Sequence, residues 1–171
     1  MNRNVEIKAH LADLERAKAL MDSLGARDCG ILVQHDTFFQ CKTGRLKLRI
    51  HADGKGELIC YERPDAVEAT ISRYAISETD KPADLLEVLS ASIGITGEVR
   101  KTRLLYIIGQ TRVHLDRVDG LGEFMEIEVV LDPSQTEEQG QEIAAEIIHK
   151  LGISDADLIS CAYIDMLQGR A

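Results

Sequence analysis

Polar and apolar residues alternate with period two over most of the chain, and a few stretches switch to helical spacing. In residues 4–10, Val5, Ile7 and Ala9 fall on one face and Asn4, Glu6, Lys8 and His10 on the other, which predicts a strand. Leu14, Ala17, Met21 and Leu24 recur at helical spacing and Gly25 supplies a C-cap, so a helix is expected over 11–24. Strands are expected over 33–41, 45–50, 57–63 and 70–78, with Asp53-Gly54 as a hairpin turn and Pro64 ending the third of them. Asp80 and Pro82 open a second helix, apolar at Leu85, Leu86, Val88, Leu89 and Ile93 and closed by Gly94. Strands over 99–108, 111–118 and 124–131 follow, the last two joined by the turn Asp119-Gly120-Leu121-Gly122. Two helices are expected over 136–151 and 155–167, the second opened by a capping box of Ser154 and Asp157. Strands linked by hairpin signals, with few helices between them, point to an α+β fold on an antiparallel sheet. No repeat or linker interrupts the pattern, so one domain over 1–171 is expected.

What alternates with the apolar residues is more informative than the alternation itself. One face collects Glu6, Lys8, Lys47, Arg49, Lys101, Arg103, Arg112, Asp116, Glu126 and Glu128. The other carries Val5, Ile7, Leu46, Leu48, Leu104, Tyr106, Val113, Leu115, Ile127 and Val129. The helices need an apolar surface to cover, so the charged face must meet solvent or a lumen. Closing about eight strands into a barrel removes both sheet edges and leaves the charge inside. A solvated sheet face with ordinary cross-strand ion pairs is the alternative. Like charges two residues apart favour the lumen, because Arg45, Lys47 and Arg49, or Lys101 and Arg103, repel unless an anion lies between them. Glu126 and Glu128 pose the same problem with opposite sign, and a divalent cation answers it.

Composition narrows the partner. The chain carries a net charge of -9, which argues against non-specific nucleic-acid binding, and with no Trp and 4% aromatic residues it offers no stacking platform for single strands. No apolar run approaches the length of a membrane span, and no apolar leader opens the sequence, so no membrane is expected. Cys29, Cys41, Cys60 and Cys161 are widely spaced without a CxxC pair, so neither a disulfide framework nor a zinc site is expected and a reduced cytoplasm is; Cys29 and Cys161 are read as packing residues. An acidic chain that gathers cations on one face, beside a carboxylate cluster, suits a polyphosphate bound with Mg²⁺ or Mn²⁺. His10 and His114 share the charged face but have no partner at metal-ligand spacing, so neither is expected at the ligand.

These residues carry a resemblance. Val5-Glu6-Ile7-Lys8 is similar to the end of the ExExK strand of the CYTH family, which contains class IV adenylyl cyclases and thiamine triphosphatases. The similarity continues through Gly44-Arg45-Leu46-Lys47-Leu48-Arg49, Lys101-Thr102-Arg103 and Val113-His114-Leu115-Asp116. The stretch from Gly120 to Glu128 resembles the class IV cyclase branch, as does Tyr163 ahead of Leu167-Gln168-Gly169. From its amphipathic helix, Tyr163 is expected to cover the barrel more than to touch a substrate.

The resemblance implies an eight-stranded antiparallel closed barrel, a triphosphate tunnel, with helices packed outside. It implies Glu6, Glu126 and Glu128 as metal-binding positions. Lys8, Lys47, Arg49, Arg73, Lys101 and Arg103 would bind phosphate, with Lys8, Arg103 and Asp116 at the centre of catalysis. The expected activity is conversion of ATP to cyclic AMP and pyrophosphate; a triphosphatase and a tunnel that holds a phosphorylated ligand without turnover are the alternatives. A homodimer is the assembly the class IV branch implies, although no self-complementary patch is legible in the sequence. Two positions depart from the family pattern: Asn4 replaces the first Glu of ExExK, and Glu62 stands where the cyclases usually place Lys. The first is expected to weaken a metal site; the second is expected to pair with Arg73, to ligate metal or to reduce affinity for a triphosphate.

Overall fold

The computed structural model describes residues 1–169; positions 170 and 171 of the expected domain lie outside the described residues. Its strands are β1 (Asn2–His10), β2 (Arg27–Phe39), β3 (Arg45–His51), β4 (Gly56–Glu62), β5 (Thr70–Thr79), β6 (Ile95–Ile108), β7 (Thr111–Val118) and β8 (Gly122–Val130). They lie in the order β5-β4-β3-β2-β6-β7-β8-β1, and every neighbouring pair is antiparallel. β1 also pairs with β5, from Asn2 opposite Tyr74 to Glu6 opposite Thr70, and this closes the sheet into the expected eight-stranded barrel. Closure leaves no open edge among these strands.

Four helices accompany the barrel: α1 (Leu14–Ser23), α2 (Pro82–Ile93), α3 (Glu137–Leu151) and α4 (Tyr163–Leu167). Asp13 caps α1 by accepting from the Arg16 N–H at 2.9 Å, and Thr136 and Gln139 form a capping box at the start of α3. The outward-facing side chains Ile7, Val113, Leu115 and Ile127 pack against Ala17 and Met21 of α1 and Ile147 of α3. Val5, Val129 and Ala144 form a second cluster nearby. Each buried aliphatic side chain contributes roughly 1.5–3 kcal/mol, so this outer layer is what commits the charged residues to the inside. Gly140 in the interior of α3 has a packing cause: a Cβ there would come within 2.6 Å of Val5 Cγ2 and 2.7 Å of Leu131 Cδ2. Helix propensity is sacrificed for close approach to β1.

Three elements differ from expectation. β2 begins at Arg27 and β6 at Ile95, both earlier than the pattern suggests, because the two strands pair with each other almost throughout. A register shift between Asp28 and Ile31, with Gly30 at φ 88°, breaks the alternation there and hides the strand. The final helix, expected over 155–167, is broken into a 3₁₀ turn (Asp155–Asp157), a two-residue strand β9 (Leu158–Ile159) and α4. The Ser154–Asp157 capping box forms, but Leu158 and Ile159 then pair with Ala9 and Lys8 of β1. Burying Ile159, Ala162, Tyr163 and Ile164 against the barrel overrides helical continuity.

Candidate active site

A cavity of about 310 Å³ runs inside the barrel. Alternation fixes what lines it: along β1, Val5 and Ile7 lie under the helices, so Asn4, Glu6 and Lys8 point inward. The same period delivers Lys47 and Arg49 from β3, Lys101 and Arg103 from β6, His114 from β7, and Glu126 and Glu128 from β8. Among the described residues, eight Lys or Arg and five Asp or Glu side chains line the cavity, within a chain whose net charge is -9. Positive charge is thus concentrated on largely buried side chains, Lys8, Lys101 and Arg103 among them, a condition for strong anion binding.

Two buried aspartates hold the cations in place. Asp116 accepts from Arg103 Nε and Nη2, both at 2.6 Å, and lies 3.6 Å from Lys101 Nζ. Asp36 accepts from Arg49 Nε at 2.7 Å, Arg49 Nη2 at 2.8 Å and Lys47 Nζ at 2.8 Å. Burial alone would raise both carboxyls; Arg103 and Lys101 hold Asp116, and Arg49 and Lys47 hold Asp36, well below the usual range. Asp36 carried no signal in the sequence beyond its place in a strand, since its role depends on β3 and β6 lying on either side.

The carboxylate side of the cavity is crowded. Glu126 lies 3.8 Å from Lys8 Nζ and accepts from Arg103 Nη2 at 2.5 Å, while Glu128 lies 2.8 Å from Arg112. Burial would raise Glu126, but Lys8 and Arg103 keep it ionised. Glu6 has weaker compensation: burial and the charges of Glu128 and Glu126 push it up to about 7, against Arg63 at 3.7 Å. Three carboxylates thus point inward, and of these Glu126 and Glu128 lie close enough to share a divalent cation, whereas Glu6 stands outside that group. His114 Nδ1 lies 3.6 Å from Glu128 and 4.0 Å from Glu126, so a nitrogen donor joins two of them. Burial and Arg103 push the imidazole down to about 4, leaving it neutral at physiological pH.

Tyr163 packs on the barrel as expected of a cover, and it also lines the cavity. It is 5% exposed, donates its hydroxyl to Asp116 at 3.0 Å, and places its ring 4.0 Å from Lys8 Nζ. Tyr163→Phe is expected to cost about 1.5–3 kcal/mol in chemical denaturation, because it removes a hydrogen bond to an ionised group. The ring beneath Lys8 is retained. An unchanged midpoint would show that this bond contributes nothing.

Arg73 is corrected as a phosphate ligand, and of the three readings of Glu62 only the place beside Arg73 matches the structure. Both are exposed on the outer face, where they are register partners between β4 and β5. The inward cation is Arg63, whose buried Nε and Nη2 have no hydrogen-bond partner. Glu62 therefore adds no anion to the cavity. Asn4 is inward and 2% exposed; in the amide orientation that satisfies both ends, its oxygen accepts from Arg112 Nη2 at 3.0 Å. Its carbonyl is engaged by a cation, so the charge lost with the first Glu of ExExK is not replaced. His10 stacks on Phe124, 5.1 Å between ring centroids, and does not line the cavity.

Lys101 provides a pH signature. Burial and Arg103 push its ammonium down to about 7. Between that value and the ordinary Lys pKa the unfolded chain holds more protons than the folded one, so this group favours folding increasingly as pH rises over that window. A bound polyanion restores the proton. Calorimetry of tripolyphosphate binding near pH 8, in buffers of different ionisation enthalpy, is expected to show proton uptake that Lys101→Met reduces. Equal uptake by both proteins would locate the proton elsewhere.

The sequence as a whole matches a model of the CYTH domain over residues 2–163. The chain belongs to the CYTH family. Its relatives in that family include "Adenylate cyclase CyaB" of Aeromonas hydrophila, 23% identical over 93% of this chain and 85% of the relative. "Putative adenylate cyclase MJ0240" of Methanocaldococcus jannaschii is 22% identical over 95% of this chain and 97% of its own length. The solved structure of the PH1012 protein from Pyrococcus horikoshii superposes with a TM-score of 0.86 at 25% identity, covering 95% of this chain and 98% of that one. The CYTH tunnel is thus shared at low identity, and the chemistry must be argued from the lining.

Proposed function

We propose that this CYTH protein is a divalent-metal-dependent enzyme acting on a triphosphate, with ATP converted to cyclic AMP and pyrophosphate. The observation that carries this reading is the meeting of opposite charges in one closed cavity: the basic side chains of β3 and β6 beside the carboxylates Glu6, Glu126 and Glu128. Two relatives bearing adenylate cyclase names support the choice of reaction.

In this reading Glu6, Glu126 and Glu128 hold a Mg²⁺ or Mn²⁺ ion, which neutralises phosphate oxygens when bound. Lys47, Arg49 and Lys101 bind and orient the phosphate chain. Lys8 and Arg103, next to Glu126, stabilise the charge that builds as the ribose 3′-oxygen attacks the α-phosphorus. The O–P bond forms, the hydroxyl proton passes to solvent, and the bond to pyrophosphate breaks. Asp116 acts as a positioning residue, because Arg103, Lys101 and Tyr163 occupy its oxygens. Phe38, Ile59 and Val99 add the apolar surface that a base requires.

Incubating the protein with ATP and Mn²⁺, then identifying the products, tests the proposal. Cyclic AMP with pyrophosphate is expected. ADP with phosphate would make the protein a triphosphatase. Tight calorimetric binding of ATP, thiamine triphosphate or tripolyphosphate with no product over hours would make it a binding tunnel.

A further inference from the structure

The sequence offered His114 no metal-ligand partner, yet the barrel places it between two carboxylates. His114 is 4% exposed, and its Nδ1 has no hydrogen-bond partner in the described structure. A buried ring nitrogen without a partner has lost its hydration with nothing in return, so its position asks for a ligand. Its register explains the placement: His114 stands opposite Glu126 on β8, and Glu128 lies one inward position along the same strand. The nearest carboxylate oxygen, Oε1 of Glu128, is 3.6 Å away, too far for a good hydrogen bond. The three donor atoms lie within 4.8 Å of one another. Two donors that each sit about 2.1 Å from a common ion are separated by roughly 3–4 Å, the spacing found here between His114 and Glu128. Arg112 holds the other oxygen of Glu128, which leaves Oε1 turned toward the ring.

We propose that His114 Nδ1 is a direct metal ligand beside Glu126 and Glu128, and that this nitrogen makes the tunnel select Mn²⁺ and Co²⁺ over Mg²⁺. The proposal rests on the reading of the tunnel as a metal site, but not on which triphosphate is used or how it reacts. Its chemistry is ligand softness. Carboxylates alone suit Mg²⁺, Ca²⁺ and Mn²⁺, whereas imidazole adds affinity along the first-row series and little for Mg²⁺.

The test uses the intact protein and the metal alone, with no nucleotide. Pulsed electron paramagnetic resonance of bound Mn²⁺ is expected to show coupling to one nitrogen, replaced by the ¹⁵N pattern when histidine is ¹⁵N-labelled. This wild-type measurement does not depend on a variant that folds. His114→Gln is expected to abolish the coupling and to weaken Mn²⁺ and Co²⁺ binding at least about 10-fold, while Mg²⁺ affinity changes less than about twofold. His51→Gln, at the other histidine lining the cavity, is expected to leave the coupling intact. No Mn²⁺ binding at millimolar metal, no nitrogen coupling in the wild type, or coupling that survives His114→Gln overturns the proposal. Nitrogen coupling in a protein that produces nothing from any triphosphate would sustain the inference while the catalytic reading fell.

Discussion

Asp116→Asn is expected to lower folding stability by about 3–5 kcal/mol, the cost of leaving buried cations without their partner. Asp116 is fully buried and shared by Arg103, Lys101 and the Tyr163 hydroxyl. Arg103 retains Glu126 in the variant, but Lys101 loses its nearest carboxylate. For a chain of this length the loss corresponds to about 6–20 °C in Tm. Stability is expected to return in part when tripolyphosphate is added, since an anion in the lumen replaces the missing charge. A shift under about 1 kcal/mol would mean that Asp116 is not the counter-charge of this cluster. Failure of polyphosphate to rescue the variant would count against a phosphate site beside Arg103.

The second large effect belongs to Glu126→Gln. The substitution keeps the side chain's volume, and Arg103 stays bonded to Asp116, so the barrel is expected to fold. What disappears is the central negative charge among Glu6, Glu128 and His114. Mn²⁺ affinity and metal-dependent turnover should both collapse, the latter by about 10³-fold. Titration of Mn²⁺ and initial rates on ATP measure the two separately. Retention of turnover within tenfold of wild type, with the variant folded, would remove Glu126 from the metal site.

How much of this was legible in the chain differs from strand to strand. β1, β3 and β8 alternate between charged and aliphatic residues through their central positions, and there the inward set could be named before any pairing was known. β4 does not alternate: Glu57, Ile59, Tyr61 and Arg63 form one face and Leu58, Cys60 and Glu62 the other, each a mixture. A one-residue change of phase exchanges the two faces, and the resemblance accordingly drew attention to Glu62 and Arg73, whereas the cavity contains Arg63. Tyr163 and Ile159 were hidden differently. Their apolar spacing fits a helix, and only contact with β1 and the barrel end favours the break.

Taken alone, the sequence determined the elements of the barrel, the sign of charge on each clean strand and the family. The elements and the charges follow from local periodicity, a property of neighbouring residues, and the family from the resemblance of short motifs in order along the chain. The tertiary structure alone decided which carboxylate serves which cation, the inward phase of β4 and β5, and the meeting of His114 with Glu126 and Glu128. Those depend on register between strands and on the closure of β1 against β5, across a gap of more than sixty residues from Glu6 to Thr70. No local pattern encodes a distance in space between side chains so far apart along the chain.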